Sequence, residues 1–296
     1  SAPARLHQAF AAHRLDRQAS VLVIGGGAVL DLVGFAASTM HRGLRVLRVP
    51  TTVLSQCDSG LGVKTGINAF DKKNCLGTFA PPFAVFNDSR FLSTLPLRDR
   101  IAGMSEAVKV ALIRDGAFFE WLDAHAERLA TGDLSLTTDL IHWSARLHLD
   151  HIAQSGDPFE FGTARPLDFG HWAAHKLETL THNRLRHGEA VAIGIALDTA
   201  YSTEAGLLSP TARDRVMDLL RRLGLRLWDP ACTLMGEDQR PRLLDGLSEF
   251  REHLGGELTV TLLAGIGKGV EVHDMRDELI LQSLDWLRAR DYASCG

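Results

Sequence analysis

Hydrophobic positions recur at helical spacing over residues 3–17, where Leu6, Phe10 and Leu15 fall on one side. The pattern then changes period. Ser20–Ile24 is a short β-branched run ending in Gly25-Gly26-Gly27, a helix is expected over about Val29–His41, and Arg45–Val49 reads as a strand stopped by Pro50. Thr51-Thr52 is placed to cap a short helix to about Gln56. Asp58–Thr78, rich in Gly, Asp, Lys and Asn, reads as a loop, and Phe83–Phe86 as a third, buried strand. Strands alternating with helices argue for a parallel sheet of nucleotide-binding type. After Pro96 the texture is helical: Ile101–Ile113, Gly116–Ala130, Leu134–Gln154, His171–Leu180, Glu189–Ala205 and Thr211–Leu223 carry the helical period, Leu258–Leu263 alternates like a strand, and 274–290 closes with a helix. The fold expected is α/β, with a Rossmann-like domain at 1–95 and a mostly α-helical, metal-binding domain at 96–296. Three visible strands are fewer than a doubly wound sheet normally has, so either a further N-terminal piece or an unusually small domain is expected.

Composition narrows the function classes. The 296 residues carry 32 Lys+Arg against 36 Asp+Glu, a net charge of −4, which argues against a phosphate-backbone binder. The longest apolar stretch, near Ala190–Leu197, spans about eight residues, whereas a membrane helix needs about 20. Cys57, Cys75, Cys232 and Cys295 show no CxxC spacing, and no secretory leader pattern opens the chain, so a cytoplasmic protein is expected.

Three groups of residues can carry chemistry. Gly25-Gly26-Gly27 follows a strand and opens a helix, so backbone N–H groups and the helix dipole would face an anion there. It is not GxGxxG, because Leu30 stands at the last glycine position, and a tight turn without ligand is the bland alternative. The run from Asp58 through Lys64, Asn68, Lys73 and Asn74 fails as a P-loop, since Val63 replaces the glycine before the lysine. Its ammonium, carboxylate and amide groups suit a phosphorylated polyol as well as they suit a solvated loop. Third, His171 and His175 share a helix face at i and i+4, His187 precedes a helix start, and Glu106 lies on an earlier helix. Two histidines and a carboxylate can hold a divalent metal with positions open to substrate. With 13 histidines in the chain, chance pairs are also expected.

Taken together and in order, the runs GGGAVLDLVGF, RVPTT, QCDSGLGVKTGIN, KKN, FLSTLP, GMSEAVKVALI, LDFGHWAAHKLE and RHGEAVAIG resemble the sugar-phosphate cyclase superfamily, whose best-known member is 3-dehydroquinate synthase. The resemblance covers about residues 20–205 and implies an NAD- and zinc- or cobalt-dependent lyase. Family members carry a longer segment before the triple glycine, which normally supplies a strand and part of the adenosine site. The resemblance implies NAD contacts from Gly26, Gly27, Asp31, Thr51, Thr52, Asp58, Lys73, Phe91, Thr94 and Leu95, and metal ligation by Glu106, His171 and His187. It further implies phosphate binding by Lys64, Asn74 and His175. Lys109 and Asn68 would sit at the sugar hydroxyls, Asp58 near the nicotinamide, and Glu160 would orient a neighbour. Arg42 would reach into a partner's active site, which implies a homodimer.

The sequence departs from the dehydroquinate synthase pattern at its cations. Asp168 replaces an asparagine, Ala164 an arginine, and the lysines expected near Leu149-Asp150 and around Arg251-Glu252-His253 are absent. A carboxylate substrate would meet Asp168 with like charge, whereas a hydroxymethyl end can donate a hydrogen bond to it. The implied substrate is therefore a sedoheptulose 7-phosphate-like ketose. The rivals are 3-dehydroquinate synthase proper, a metal-dependent polyol dehydrogenase and a non-catalytic binding protein on the same scaffold.

Overall fold

The computed structural model describes residues 1–70, 72–154, 166–253 and 256–293. The chain forms two compact units, Ser1–Arg100 with Thr137–Phe159, and Ile101–Leu136 with Glu160–Gly296. The return of 137–159 to the first unit was not visible in the helical pattern.

In the first unit, β1 (Ser20–Gly25), β2 (Arg45–Pro50) and β5 (Ala84–Val85) form a parallel sheet in the order β1-β2-β5. The β1–β2 register runs from Ser20 opposite Arg45 to Gly25 opposite Pro50. Helices α1 (Ala2–Ala12) and α2 (Gly27–Thr39) cover one face, where Phe10, Val23, Leu30, Ala36, Ala37, Leu44 and Val46 form a core. Alternation along β1 buries Val23 and leaves Leu22 and Ile24 exposed on the other face.

Two expectations for this unit are corrected. The glycine-rich run is a hairpin of β3 (Lys64–Ala69) and β4 (Lys72–Phe79), with a register shift between Ile67 and Ala69. A hydroxyl chain holds it to α2: Thr65 Oγ1 meets Thr78 Oγ1 at 2.7 Å, and Ser38 Oγ meets the same atom at 2.7 Å. Gly34 makes room for this, since a Cβ there would lie 2.7 Å from Thr65 Cγ2. The third strand is only Ala84–Val85, and the flanking Phe83 and Phe86 are exposed, 65% and 55%, rather than buried. The sheet ends at this strand's short pairing with β2, so the aromatic rings beyond it find no facing layer in this unit.

The second unit is helical: α3 (Leu97–Arg114, from Ile101 onward), α4 (Gly116–Ala130), α6 (His171–Leu180), α7 (His187–Glu204), α8 (Pro210–Arg222), α9 (Asp245–His253) and α10 (Asp277–Ala293). Helix α5 (Leu134–Gln154) starts here and belongs to the first unit from Thr137. Asp115 and Ser209 cap α4 and α8 by accepting backbone N–H bonds. The strand expected at 258–263 is β6 (Val260–Gly265), and it pairs antiparallel with β7 (Lys268–Val272), which the alternation did not reveal.

Helix α7 is buried at Gly188 and from Ala190 to Ser202, which is the signature of a core helix. Two glycines allow its close crossings. A Cβ on Gly188 would lie 1.9 Å from the Ala102 carbonyl oxygen of α3, and one on Gly194 would lie 1.9 Å from the Gly170 carbonyl oxygen. These contacts bring the α7 start beside α3 and the α6 start beside the middle of α7. Among the described residues no helix is long and apolar enough to cross a membrane.

Candidate metal centre

The α3 segment Ala102–Ile113 is wholly buried, yet it contains Glu106 and Lys109 one turn apart. Lys109 Nζ lies 2.5 Å from Glu106 Oε2, with the two side chains 2% and 0% exposed. Glu106 Oε1 faces His171 Nε2 at 3.7 Å and His187 Nε2 at 3.5 Å. Both are beyond hydrogen-bond length, and Oε1 is buried without a hydrogen-bond partner. One ligand atom from each of Glu106, His171 and His187 lies within 4.8 Å of the others.

Both imidazoles are oriented by their other nitrogen. His171 Nδ1 donates to the Phe169 carbonyl at 3.0 Å, and His187 Nδ1 donates to Glu178 Oε1 at 2.6 Å. This fixes the tautomer that leaves each Nε2 lone pair aimed at Glu106, the arrangement typical of metal-ligating histidines. Burial works to raise the Glu106 pKa, but the Lys109 ammonium beside it outweighs that and holds the carboxyl well below its ordinary value. An ionised carboxylate, two neutral imidazole lone pairs and an orphaned buried oxygen fit a divalent cation with N/O preference. His175 joins the cluster, its ring centroid 5.5 Å from His171 and 6.1 Å from His187. Asp168 is half-buried in the short helix Pro166–Asp168, just ahead of α6.

In the first unit, the glycine turn lies at the carboxyl ends of β1 and β2. Gly26 packs against Thr52 and Gly27 against Ser59, where a Cβ would lie 3.1 Å from Thr52 Cγ2 and 2.8 Å from Ser59 Oγ. Thr52 does cap the following turn, its Oγ1 accepting from Ser55 N at 3.2 Å, and the chain then forms a π-type turn over Ser55–Ser59. Asp58, at the end of that turn, faces His148 Nδ1 of α5 at 3.1 Å. Arg48 Nη1 donates to the Gly62 carbonyl at 2.7 Å and to Gly60 at 3.3 Å, securing the run that leads into the hairpin. Gln56 Nε2 donates to the Pro50 and Asp88 carbonyls, which ties in the segment carrying Phe91, Thr94 and Leu95. Thr51 N donates to the Gly25 carbonyl at 3.0 Å, and Asp31 lies near enough to Arg48 to act on its charge.

The hairpin presents Lys64, Asn68 and Asn74 as exposed and Lys73 as half-buried, and Asn74 N donates to Asn68 Oδ1 at 3.1 Å. Arg42 is exposed on a turn with φ +67 and lines an open depression with Arg45, Arg48, Thr78 and Phe83. Glu160 and Ala164 lie outside the described residues. Cys57 is fully buried, as a small core residue would be.

Four contributors were not singled out from the sequence: Glu178, Asp198, His148 and Arg48. Glu178 had a signal, since it follows His171 and His175 at i+7 and i+3 on the same helix face. Asp198 is wholly buried and accepts from Gly170 N and Trp172 Nε1. Burial pushes its carboxyl up to about 7, against these two donors.

A helical unit with a Glu-His-His cluster, joined in one chain to a parallel sheet with a glycine turn, defines a class of two-part enzyme scaffold, and comparison with known proteins gives the family. The family models for the 3-dehydroquinate synthase N-terminal and C-terminal domains match residues 2–102 and 103–240. The chain belongs to the 3-dehydroquinate synthase family. It is 40% identical over 279 residues to 2-epi-5-epi-valiolone synthase of Streptomyces glaucescens, covering 92% of this chain and 70% of that protein. It is 37% identical over 274 residues to 3-dehydroquinate synthase of Ruegeria sp. (strain TM1040), covering 92% and 72%. The structure of ValA, a 2-epi-5-epi-valiolone synthase from Streptomyces hygroscopicus subsp. jinggangensis 5008 with NAD+ and Zn2+ bound, superposes with a TM-score of 0.89 at 31% identity, covering 97% of this chain and 79% of that one.

Proposed function

We propose that this chain is an NAD- and metal-dependent sugar-phosphate cyclase, a carbon–oxygen lyase that eliminates phosphate from a sedoheptulose 7-phosphate-like ketose and closes the ring by an intramolecular aldol step. The observation that carries the reading is the convergence of His171 Nε2, His187 Nε2 and the unpartnered Glu106 Oε1. Those three residues would hold zinc or cobalt, and the Rossmann-like first unit would hold NAD. When bound, these groups supply Lewis-acid polarisation of adjacent sugar oxygens and reversible hydride acceptance at one carbon.

The chain's own residues bind and orient. Gly26 and Gly27 let a pyrophosphate approach the N-terminus of α2, with Asp31, Thr51, Thr52, Lys73, Phe91, Thr94 and Leu95 lining the remainder of the NAD pocket. Lys64, Asn74 and His175 hold the substrate phosphate. Lys109 and Asn68 donate to the sugar hydroxyls, Asp58 stands near the nicotinamide, and Glu160 orients a neighbouring group. Lys109 serves a second purpose, since its ammonium balances Glu106 in the buried α3 segment. Holding a flexible ketose through successive steps is chiefly an orientation task, worth several kcal/mol of barrier. Arg42, exposed on its turn, reaches the site of a second copy in a homodimer. A cytoplasmic setting suits such a substrate.

Asp168 decides the substrate end. Its carboxylate accepts a hydrogen bond from a hydroxymethyl group and repels a carboxylate. The 40% identity to a valiolone synthase supports this choice, while the 37% identity to 3-dehydroquinate synthases favours that enzyme as the second reading. The test is phosphate release from sedoheptulose 7-phosphate and, in parallel, from the deoxy-heptulosonate 7-phosphate, with NAD and zinc or cobalt present and nicotinamide absorbance followed. Release from the ketose alone without net NADH is expected. Release from the heptulosonate alone would establish the second reading, and steady NADH accumulation would establish a dehydrogenase.

A further inference from the structure

Asp198 is a carboxylate in the middle of α7, within a run buried from Ala190 to Ser202, and its exposure is 0%. Burying an ionisable group here costs several kcal/mol before its partners are counted. A core that needed only packing would carry an apolar residue. What the carboxylate does is hold one short stretch of chain. Oδ2 accepts from the Gly170 backbone N–H at 2.9 Å, and Oδ1 accepts from the Trp172 indole N–H at 2.8 Å. The two donors flank His171 on either side.

The stretch is otherwise set by backbone geometry. Gly170 has φ +78, a conformation that glycine adopts without strain, and a Cβ there would lie 2.8 Å from Ile195 N. The preceding carbonyl, of Phe169, is the acceptor that fixes the His171 tautomer. Asp198 therefore ties down both ends of the turn from which the imidazole projects. The anchor is itself secured: Ser202 Oγ donates to the Asp198 carbonyl at 2.6 Å and accepts from Leu263 N of β6 at 3.1 Å. A neutral amide could not replace the carboxylate, because it offers one acceptor oxygen and turns an NH2 toward the second N–H donor.

We infer that Asp198 is a positioning residue for His171, aiming its Nε2 at Glu106 and His187 by clamping Gly170 and Trp172 from α7. The inference rests on the reading of Glu106, His171 and His187 as a metal set. It predicts that metal affinity depends on a residue that touches neither the metal nor any of its three ligands' side chains, as outer-shell partners do with effects of about 10–100-fold.

The experiment compares the full chain with Asp198→Asn, Trp172→Phe and the double variant. Zinc affinity is read by competition with a chromophoric chelator, at a pH where imidazole is neutral. The ligand-field spectrum of bound cobalt reports the geometry, and circular dichroism reports the fold. Asp198→Asn is expected to stay folded, to bind zinc about 10–100-fold more weakly and to alter the cobalt spectrum. Trp172→Phe is expected to lose less, since the bond to Gly170 N remains. The double variant is expected to be no worse than Asp198→Asn, because removing the indole N–H relieves its clash with the new amide. A folded Asp198→Asn variant with unchanged zinc affinity and cobalt spectrum overturns the inference, as do strictly additive losses in the double variant. Should Asp198→Asn fail to fold, Trp172→Phe decides alone: a weakened site with an altered cobalt spectrum supports the clamp, and an unchanged site overturns it. If the parent chain binds neither zinc nor cobalt, the metal-set reading itself fails, an outcome distinct from a parent that binds and a variant that binds equally well.

Discussion

Lys109→Met isolates the electrostatics of the candidate metal centre. The ammonium lies 2.5 Å from Glu106 Oε2, and both side chains are essentially removed from solvent. Methionine fills nearly the same space, so packing changes little and the change is one of charge. What remains is a carboxylate with 0% exposure, its nearest polar neighbours being imidazole nitrogens at 3.5 and 3.7 Å. Removing one partner of a buried pair costs about 3–5 kcal/mol. For a chain of this size each kcal/mol lowers Tm by roughly 2 °C, so the metal-free variant should melt roughly 6–10 °C below the parent. The assay is calorimetry with chelator present and again with zinc. A dication beside Glu106 replaces the lost charge, and zinc at about a hundredfold excess over Kd should restore about 2.7 kcal/mol. Glu106→Gln combined with Lys109→Met removes both charges and should be less destabilised than Lys109→Met alone. The reasoning fails if metal-free Lys109→Met melts within about 1 °C of the parent, or if the double variant is as unstable as the single one.

Two further outcomes follow from buried groups and close backbones. Burial raises the Asp198 carboxyl from 3.8 to about 7, so between those values the folded chain holds a proton that the unfolded chain has released. That contribution makes stability fall as pH rises through the window, by up to about 4 kcal/mol, and Asp198→Asn should flatten this part of the pH–Tm curve; parallel curves would show that Asp198 does not titrate there. Gly194→Ala should destabilise by about 3 kcal/mol in urea unfolding, because its Cβ would lie 1.9 Å from the Gly170 carbonyl oxygen. Gly206→Ala, where a Cβ meets nothing within 4 Å and only φ +74 opposes it, should cost about 1 kcal/mol, and equal losses at the two sites would refute the packing argument.

Helices were legible where the apolar period was sustained. The bounds of α4, α5 and α6 coincide with the spans expected from the sequence alone. The β3–β4 hairpin was not legible, because Lys64, Gly66, Asn68, Lys73 and Asn74 give the run a loop's composition that outweighs the short alternation of Thr65 and Ile67. Its stability comes from the Thr65–Thr78–Ser38 hydroxyl chain and from packing on α2, both of which join positions far apart in sequence. Phe83 and Phe86 misled for the opposite reason, since apolar character says nothing about whether a facing layer exists. The metal cluster could be assembled from the histidine spacing, but the residues that orient it could not. Glu178 reaches His187 nine residues away, and Asp198 reaches Gly170 and Trp172 across a helix crossing. Such groups announce themselves only through hydrogen bonds, which carry no sequence period.

Among the described residues, the second unit buries two carboxylates completely, Glu106 and Asp198, and it treats them in opposite ways. Glu106 is held ionised by the Lys109 ammonium although its Oε1 has no hydrogen-bond partner. Asp198 has donors on both oxygens, yet burial pushes it toward the neutral form. A carboxylate that serves structure alone would have its oxygens satisfied, because an unsatisfied buried acceptor costs about 1–3 kcal/mol or more when charged. Glu106 forgoes that satisfaction while the Lys109 ammonium keeps its charge, and the two imidazoles beside it are tautomerically fixed with their lone pairs turned toward the same point. Repulsion between those lone pairs and the carboxylate is relieved by a cation. The unequal treatment of the two acids thus separates their tasks: Glu106 keeps a charge and an open oxygen for a ligand, and Asp198 spends both oxygens on holding the turn that aims His171.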